Sequence, residues 1–174
     1  MQLGIWLPVK PKPRGAGAPR DEPVLALEHF VPFRLSVLSN RMTRAVAKVY
    51  ARRFRLSAPE WRTMAVLGRY GAMSANSVVE RTAMDKVRVS RAVARLLANG
   101  QITRRADPID RRRAILDLTA KGLAVYRQLV PLVLATEAEL LGDLSAAERA
   151  ALEDTMNKLE ARTVSIFHAA ADDA

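Results

Sequence analysis

Apolar side chains recur every three to four residues along most of this chain, a spacing that is typical of helices. The first such stretch predicts a long helix over about 24–54, in which Pro32 is expected either to kink the helix or to delay its start. Its apolar positions are Leu27, Phe30, Val31, Leu38, Met42, Ala45 and Val49. Because a small domain cannot cover so long a helix, a second chain is expected to pack against it.

Side chains that can cap a helix mark the later helix starts. Residues 57–60 and 145–148 each have the Ser-x-x-Glu pattern of a capping box. Three further helices are expected to begin after single capping residues, namely Ser74, Asp85 and Thr119. The helix after Asp85 should stop at Gly100, and Pro131 should bend the helix after Thr119.

The hydrophobic period changes after residue 100. Residues 102–106 and 114–118 predict two short strands, and the charged loop 107–113 between them predicts an exposed hairpin. The expected fold class is therefore mainly α with a small β-hairpin wing. The order of helix, short helix, tight turn, basic helix and hairpin is that of a winged helix-turn-helix.

Three regions follow from these elements. Residues 1–23 contain five prolines, with Gly15 and Gly17 between them, which block regular structure, so a flexible basic arm is expected there. A disordered tail is favoured over an arm that touches DNA or a partner subunit. Residues 55–118 form the predicted DNA-binding winged helix-turn-helix. Residues 24–54 and 119–168 form the predicted helical dimerisation region.

The charge balance indicates a polyanionic partner. The chain has 28 Lys and Arg against 18 Asp and Glu, which gives a net charge of +10. It has no cysteine, which excludes disulfides, and no apolar run of about 18 residues that would span a membrane. The N-terminus lacks the apolar core of a signal peptide, so the expected compartment is the cytoplasm.

The excess charge is concentrated where a winged helix would meet DNA. Residues 84–113 hold nine basic and three acidic side chains, a net of +6. A solvated charged surface would explain such a run, but these charges fall on the two elements that enter the grooves, so duplex DNA is the favoured partner. The candidates on the basic helix for contacts with base edges are Lys86, Arg88, Val89, Ser90, Arg91 and Arg95.

The segment 107–113, Asp-Pro-Ile-Asp-Arg-Arg-Arg, followed by Leu118-Thr119 and Gly122, resembles the MarR family of dimeric winged-helix regulators. This resemblance covers residues 28–159. It implies that the wing arginine, matched here by Arg112, enters the minor groove and that an Asp, matched by Asp110, helps to hold it. It also implies that the first and the last two helices form the dimer, and that effectors bind between the dimer helices and the winged domain. The wing candidates are Asp110, Arg111, Arg112 and Arg113, and Ser90, Arg91 and Arg95 match the recognition-helix positions of the family.

Segments 32–38, 59–62 and 84–91 resemble a branch of that family that contains repressors of aromatic catabolism, several of which respond to hydroxycinnamoyl-CoA thioesters. The branch implies a small aromatic or aromatic acyl-CoA effector. The effector candidates are Phe33, Arg34, Val37, Leu38, Arg41, Trp61, Arg62 and Met64. From the residues alone, Trp61 and Met64 are more simply explained as core side chains.

The predicted function is a ligand-responsive transcriptional repressor of the catabolism of aromatic compounds such as hydroxycinnamates. It is expected to bind an inverted-repeat operator as a homodimer. No enzyme is expected, since the chain has no Gly-rich phosphate loop, no nucleophile motif and no His-carboxylate cluster. His29 and His168 are isolated, so neither a metal nor a cofactor is expected. A sequence-indifferent architectural DNA-binding protein, a regulator of an unrelated effector and a basic membrane-surface protein are the alternatives.

Overall fold

The computed structural model describes residues 25–107 and 114–172, with side chains as far as Ile166. The chain divides into two compact units, Met1–Val37 and Leu38–Ala174. Its elements are α1 (Val31–Phe54), α2 (Ala58–Tyr70), β1 (Met73–Ser74), α3 (Ala75–Thr82), α4 (Lys86–Ala98), β2 (Ile102–Ala106), β3 (Ala114–Leu118), α5 (Ala120–Leu140) and α6 (Ala146–Asp172). The described part is thus mainly helical with one small sheet, as the sequence predicts.

The first helix begins later than residue 24. A turn precedes it, in which the Phe30 N–H donates to the Ala26 carbonyl at 3.1 Å, and α1 starts at Val31 with Pro32 in its first turn. Proline is tolerated there because the first N–H groups of a helix have no partner within it. The expectation that Pro32 would delay the start is confirmed.

The predicted caps account for the later helix starts. Ser57 and Glu60 form a complete capping box at α2, and Ser145 and Glu148 exchange the same pair of bonds before α6. The other three caps accept the expected backbone N–H groups, and these caps are Ser74, Asp85 and Thr119. Each such bond satisfies an N–H that the helix itself cannot pair.

The sheet joins the hairpin to a strand that the sequence pattern does not reveal. β2 and β3 pair antiparallel over the predicted bounds, with Ile102 opposite Leu118. β1 adds on the other side of β3, with Met73 opposite Leu116, so the strand order is β1-β3-β2. A two-residue strand is too short to show alternation, which is why periodicity misses it.

The core of the second unit lies where α2, α3 and α4 pack on the sheet and α5. Its largest fully buried side chains are Tyr50, Met64, Leu67, Leu96, Leu116 and Leu129. The buried positions of α4 recur at helical spacing on a single face. This packing holds the opposite face of α4 toward solvent.

The last two helices extend beyond this core. α5 continues through Pro131, and α6 runs to Asp172 rather than ending at residue 168. Every α6 side chain that the structure describes is exposed, including the apolar Leu152, Met156 and Leu159. Among the described helices, none combines the length and apolar character needed to cross a bilayer.

Candidate functional site

Asp85 organises the N-terminus of α4. One of its carboxylate oxygens, Oδ1, accepts the Arg88 backbone N–H at 2.8 Å, and the other lies 3.1 Å from the Arg88 Nε. The cap sets the direction of the first turn, and the ion pair holds the Arg88 side chain beside it. Because both groups are exposed, this ion pair adds little to stability and serves mainly to orient the guanidinium.

The exposed face of α4 differs from the sequence prediction at one position. Val89 is only 1% exposed and belongs to the core with Val93 and Leu96, so its assignment to the DNA-contacting face is wrong. Val87, which is 60% exposed, takes that place. The i, i+4, i+7 spacing of the three core residues could have predicted that residue 89 is buried and residue 87 exposed, because it puts residue 87 on the opposite side of the helix.

Three polar candidates on α4 are free to meet a partner. Lys86, Ser90 and Arg91 are exposed, and none of their side chains makes a hydrogen bond or ion pair with a residue that the structure describes. Together with Val87 they give α4 a face that combines cationic groups, a hydroxyl and an apolar methyl pair. Such a set matches the phosphates, base edges and thymine methyl groups of a major groove.

Arg95 lies two turns after Arg88 and is anchored to another helix. Its Nε lies 3.2 Å from Oε1 of Glu60, whose side chain is 3% exposed while that of Arg95 is 74% exposed. The second oxygen of Glu60 accepts the Ser57 N–H at 3.1 Å. The sequence alone suggests the capping role of Glu60 but not this contact, because residues 35 positions apart meet only through the tertiary fold.

The wing is described up to its tip. Arg104 and Arg105 on β2 are exposed, which adds cationic side chains to the hairpin. The predicted tip residues Asp110, Arg111, Arg112 and Arg113 lie outside the described residues and stay predictions. The hairpin strands on both sides of them have the predicted bounds.

A second group of cationic side chains, Arg69 and Arg81 beside the ring of Tyr70, was not predicted from the sequence. The Arg81 guanidinium lies 4.2 Å above the ring of Tyr70 and that of Arg69 lies 5.6 Å from it, and the ring is 56% exposed. Arg81 stands at the end of α3, four residues before the cap of α4. In the sequence Arg81 is recognisable only by its charge, and charge alone does not predict its contact with an aromatic ring.

Trp61, an effector candidate in the second unit, is the middle residue of an aromatic stack. The Trp61 ring centroid lies 6.1 Å from that of Tyr50 on α1 and 6.3 Å from that of Tyr126 on α5, and both pairs are stacked. Arg62 donates to Thr43 Oγ1 at 3.4 Å. Burial raises the pKa of Tyr50, and the charge of Arg62 partly opposes this rise. The stack joins three helices beside a cation.

The stack does not include the other effector candidates of the second unit, which are Leu38, Arg41 and Met64. Met64 is completely buried in the core, which favours the simpler interpretation of that residue as a core side chain. Leu38 and Arg41 are exposed on α1. The remaining three belong to the first unit, where Phe33 and Val37 are half-buried and Arg34 is exposed. Among the residues that the structure describes, no group of three metal-ligating side chains occurs.

Comparison with known proteins identifies relatives of one kind. A sequence model of the MarR family matches residues 56–113, from the start of α2 through the wing. The HTH-type transcriptional repressor NicR of Pseudomonas putida is 29% identical over 104 residues, which span 60% of this chain and 66% of NicR.

Two solved structures show the same fold. BpsR of Bordetella bronchiseptica, whose DNA binding is regulated by 6-hydroxynicotinic acid, is 27% identical and superposes with a TM-score of 0.70 over 80% of this chain and 98% of BpsR. A MarR mutant from Escherichia coli complexed with operator DNA is 23% identical and has a TM-score of 0.69 over 79% of this chain and 99% of MarR. The relatives are transcription regulators, not enzymes.

Proposed function

Since this chain is a winged helix-turn-helix transcriptional regulator of the MarR family, we propose that it represses its targets by binding an inverted-repeat operator as a homodimer, and that a small aromatic ligand releases it. The observation that carries the DNA part is the exposed face of α4, where Lys86, Ser90 and Arg91 lack partners among the described residues. A helix of this size fits the major groove with its N-terminal half toward the base edges. Residues 55–118 are the proposed DNA-binding domain.

The proposed dimerisation region consists of 24–54 and 119–168. On α6 the exposed Leu152, Met156 and Leu159 follow an i, i+4, i+7 spacing, which makes one apolar stripe. A 27-residue helix with no buried side chain up to Ile166 has little reason to be stable as it stands, because helices in water depend on packing of an apolar face. A second copy of the chain is the proposed cover.

A substitution on this stripe tests the dimer. Met156→Asp should convert a particle of twice the 19.2 kDa chain mass into a monomer or an unfolded chain in light scattering, because it would bury an unpaired carboxylate. Ala161→Asp places the same charge on the opposite side of the helix and should leave the dimer intact. A folded wild-type monomer at micromolar concentration would contradict this part of the proposal.

Binding to an operator is tested by selecting genomic fragments with the purified protein and measuring anisotropy. The expected site is an inverted repeat with half-site centres about 10 base pairs apart. Arg91→Ala should change the preference among sites, and Arg112→Ala should weaken binding strongly through loss of a minor-groove contact. Arg127→Ala on the exposed side of α5 removes the same charge away from the site and is the control.

Two outcomes would contradict the operator proposal. If Arg112→Ala binds the selected DNA as tightly as the wild type at physiological salt, the wing assignment is wrong. Equal affinity of the wild type for random and selected duplex would instead favour an architectural DNA-binding protein.

The proposed effector site centres on the stack around Trp61, with Arg62 as the candidate partner for a carboxylate or a CoA phosphate. Tyr50 and Tyr126 both stack on Trp61, so a planar ligand would have to displace one of these rings in order to stack on Trp61 itself. The similarity to BpsR, whose DNA binding 6-hydroxynicotinic acid regulates, supports an aromatic acid as the ligand class.

The effector is tested by titrating the protein–operator complex with 6-hydroxynicotinic acid, benzoates, hydroxycinnamates and their CoA thioesters. Release is expected to change operator affinity by roughly 5- to 150-fold, and operator DNA must weaken ligand binding by the same factor. Release by a thioester but not by its free acid would favour the hydroxycinnamoyl-CoA branch. Absence of release by any of these compounds would remove the aromatic effector and leave the DNA-binding proposal standing.

A further inference from the structure

We propose that Glu60 is a positioning residue for DNA binding, which holds Arg95 of the recognition helix in the orientation that contacts a phosphate. This inference rests on the proposed function of α4. It concerns a carboxylate on a different helix, α2, to which the sequence assigns only a capping role.

Both oxygens of Glu60 are engaged. Oε2 accepts the Ser57 N–H at 3.1 Å and Oε1 lies 3.2 Å from the Arg95 Nε. The Glu60 side chain is almost fully buried, and a buried carboxylate is stable only when it is paired and hydrogen-bonded. The burial of Glu60 therefore favours the pair with Arg95 over rearrangement.

The contact uses Nε of Arg95, which is the inner nitrogen of the guanidinium. The two terminal nitrogens, with four N–H donors, remain for a further acceptor, and the side chain is largely exposed. The fork of terminal donors matches a phosphate, which it can bind by two parallel hydrogen bonds. Glu60 thus holds the Nε of a guanidinium whose side chain stays largely exposed.

The location of Arg95 agrees with a phosphate contact. Residues 88, 91 and 95 follow an i, i+3, i+7 spacing on α4, so Arg95 extends the cationic row that begins at the N-terminus of the helix. Phosphate contacts flank the base contacts of a recognition helix and set its register on the duplex.

Glu60→Gln distinguishes a positioning role of Glu60 from a purely electrostatic one, because the two predict opposite changes in DNA affinity. Glutamine still has an oxygen that can accept the Ser57 N–H, but its neutral amide holds Arg95 weakly. Removal of a negative charge near phosphates would by itself tighten DNA binding. Loss of positioning should instead weaken it by about three- to tenfold, since Arg95 must then be ordered on binding.

The experiment measures the affinity of the full chain for its selected duplex at several salt concentrations. The variants are the wild type, Glu60→Gln, Arg95→Gln and the double variant, with Glu80→Gln on the exposed side of α3 as the matched control. The expected results are weaker binding by Glu60→Gln with an unchanged salt slope, a slope reduced by about 0.9 in Arg95→Gln, and no further effect of Glu60→Gln when Arg95 is absent. The control should bind as the wild type does or more tightly.

Arg95→Lys provides a second route that leaves the cap of α2 intact. A lysine keeps the charge but lacks the guanidinium fork, so it should bind DNA more weakly with the salt slope of the wild type. Circular dichroism establishes that each variant is folded.

Equal or tighter binding by Glu60→Gln, or wild-type affinity of Arg95→Lys, would overturn the positioning role alone. An equal loss from Glu60→Gln with and without Arg95 would make Glu60 merely structural. A wild type that binds no duplex selectively would overturn the proposed function as well.

Discussion

Gly122 is the position at which a single added methyl group is expected to be most damaging. It lies buried in the first turn of α5, where its N–H donates to Thr119 Oγ1 at 3.1 Å. A Cβ built on Gly122 would stand 1.8 Å from the backbone oxygen of Gln101. That oxygen is itself held, because it accepts the Thr119 N–H at 3.1 Å.

The cost of Gly122→Ala can be worked from these distances. Real Cβ contacts essentially never fall below 3.0 Å, so the backbone would have to move by at least 1.2 Å, the difference between 3.0 and 1.8 Å. Such a shift would disrupt a buried hydrogen bond, which costs about 1 kcal/mol, and overpacking adds about 1–3 kcal/mol. The usual gain of about 0.5–1 kcal/mol for alanine over glycine in a helix offsets only part of this. The expected net loss in the free energy of unfolding is therefore about 1–3.5 kcal/mol.

The assay is urea unfolding at a fixed protein concentration, followed by circular dichroism. Gly68→Ala is the contrasting variant, because the nearest atoms to its Cβ, from 2.6 Å, would belong to the ring of Tyr126, and a side chain can turn aside. Gly68→Ala is therefore expected to cost less than Gly122→Ala and to alter the fluorescence of Trp61, which stacks on Tyr126. A stability gain in Gly122→Ala would refute this reasoning.

Three further predictions concern the recognition helix and α6. Val89→Ala should lower the free energy of unfolding by about 2 kcal/mol, whereas Val87→Ala should leave urea unfolding unchanged and alter DNA affinity; the reverse pattern would contradict the assignment of the two faces. Asp85→Ala should cost about 1 kcal/mol of stability through loss of the cap of α4, and Asp85→Asn, which still caps, should cost less in the same unfolding assay. Hydrogen bonds from Ser145 lower the pKa of Glu148, so its stabilising contribution is present above the ordinary pKa of Glu and is lost as the pH falls through the lowered pKa. The unfolding midpoints of the wild type and Glu148→Gln should therefore converge in acid. A constant gap between the two midpoints would count against this cap.

The sequence by itself determined the local elements of this protein. Helix caps are local because the capping side chain and the N–H it satisfies are three residues apart, so the starts of α2, α3, α4, α5 and α6 could be predicted. The hairpin strands could be predicted for the same reason, since a change of period is visible within five residues. The start of α1 was placed too early because a turn and a helix can share the same apolar spacing.

Only the tertiary structure decided what depends on contacts between distant segments. β1 exists because it pairs with β3, some forty residues away, and two residues carry no pattern of their own. The pairing of Glu60 with Arg95, the stacking of Trp61 between Tyr50 and Tyr126, and the close approach of the Gln101 backbone to Gly122 arise in the same way. Side-chain spacing along one helix tells which residues share a face, but packing against the rest of the fold decides which face is buried.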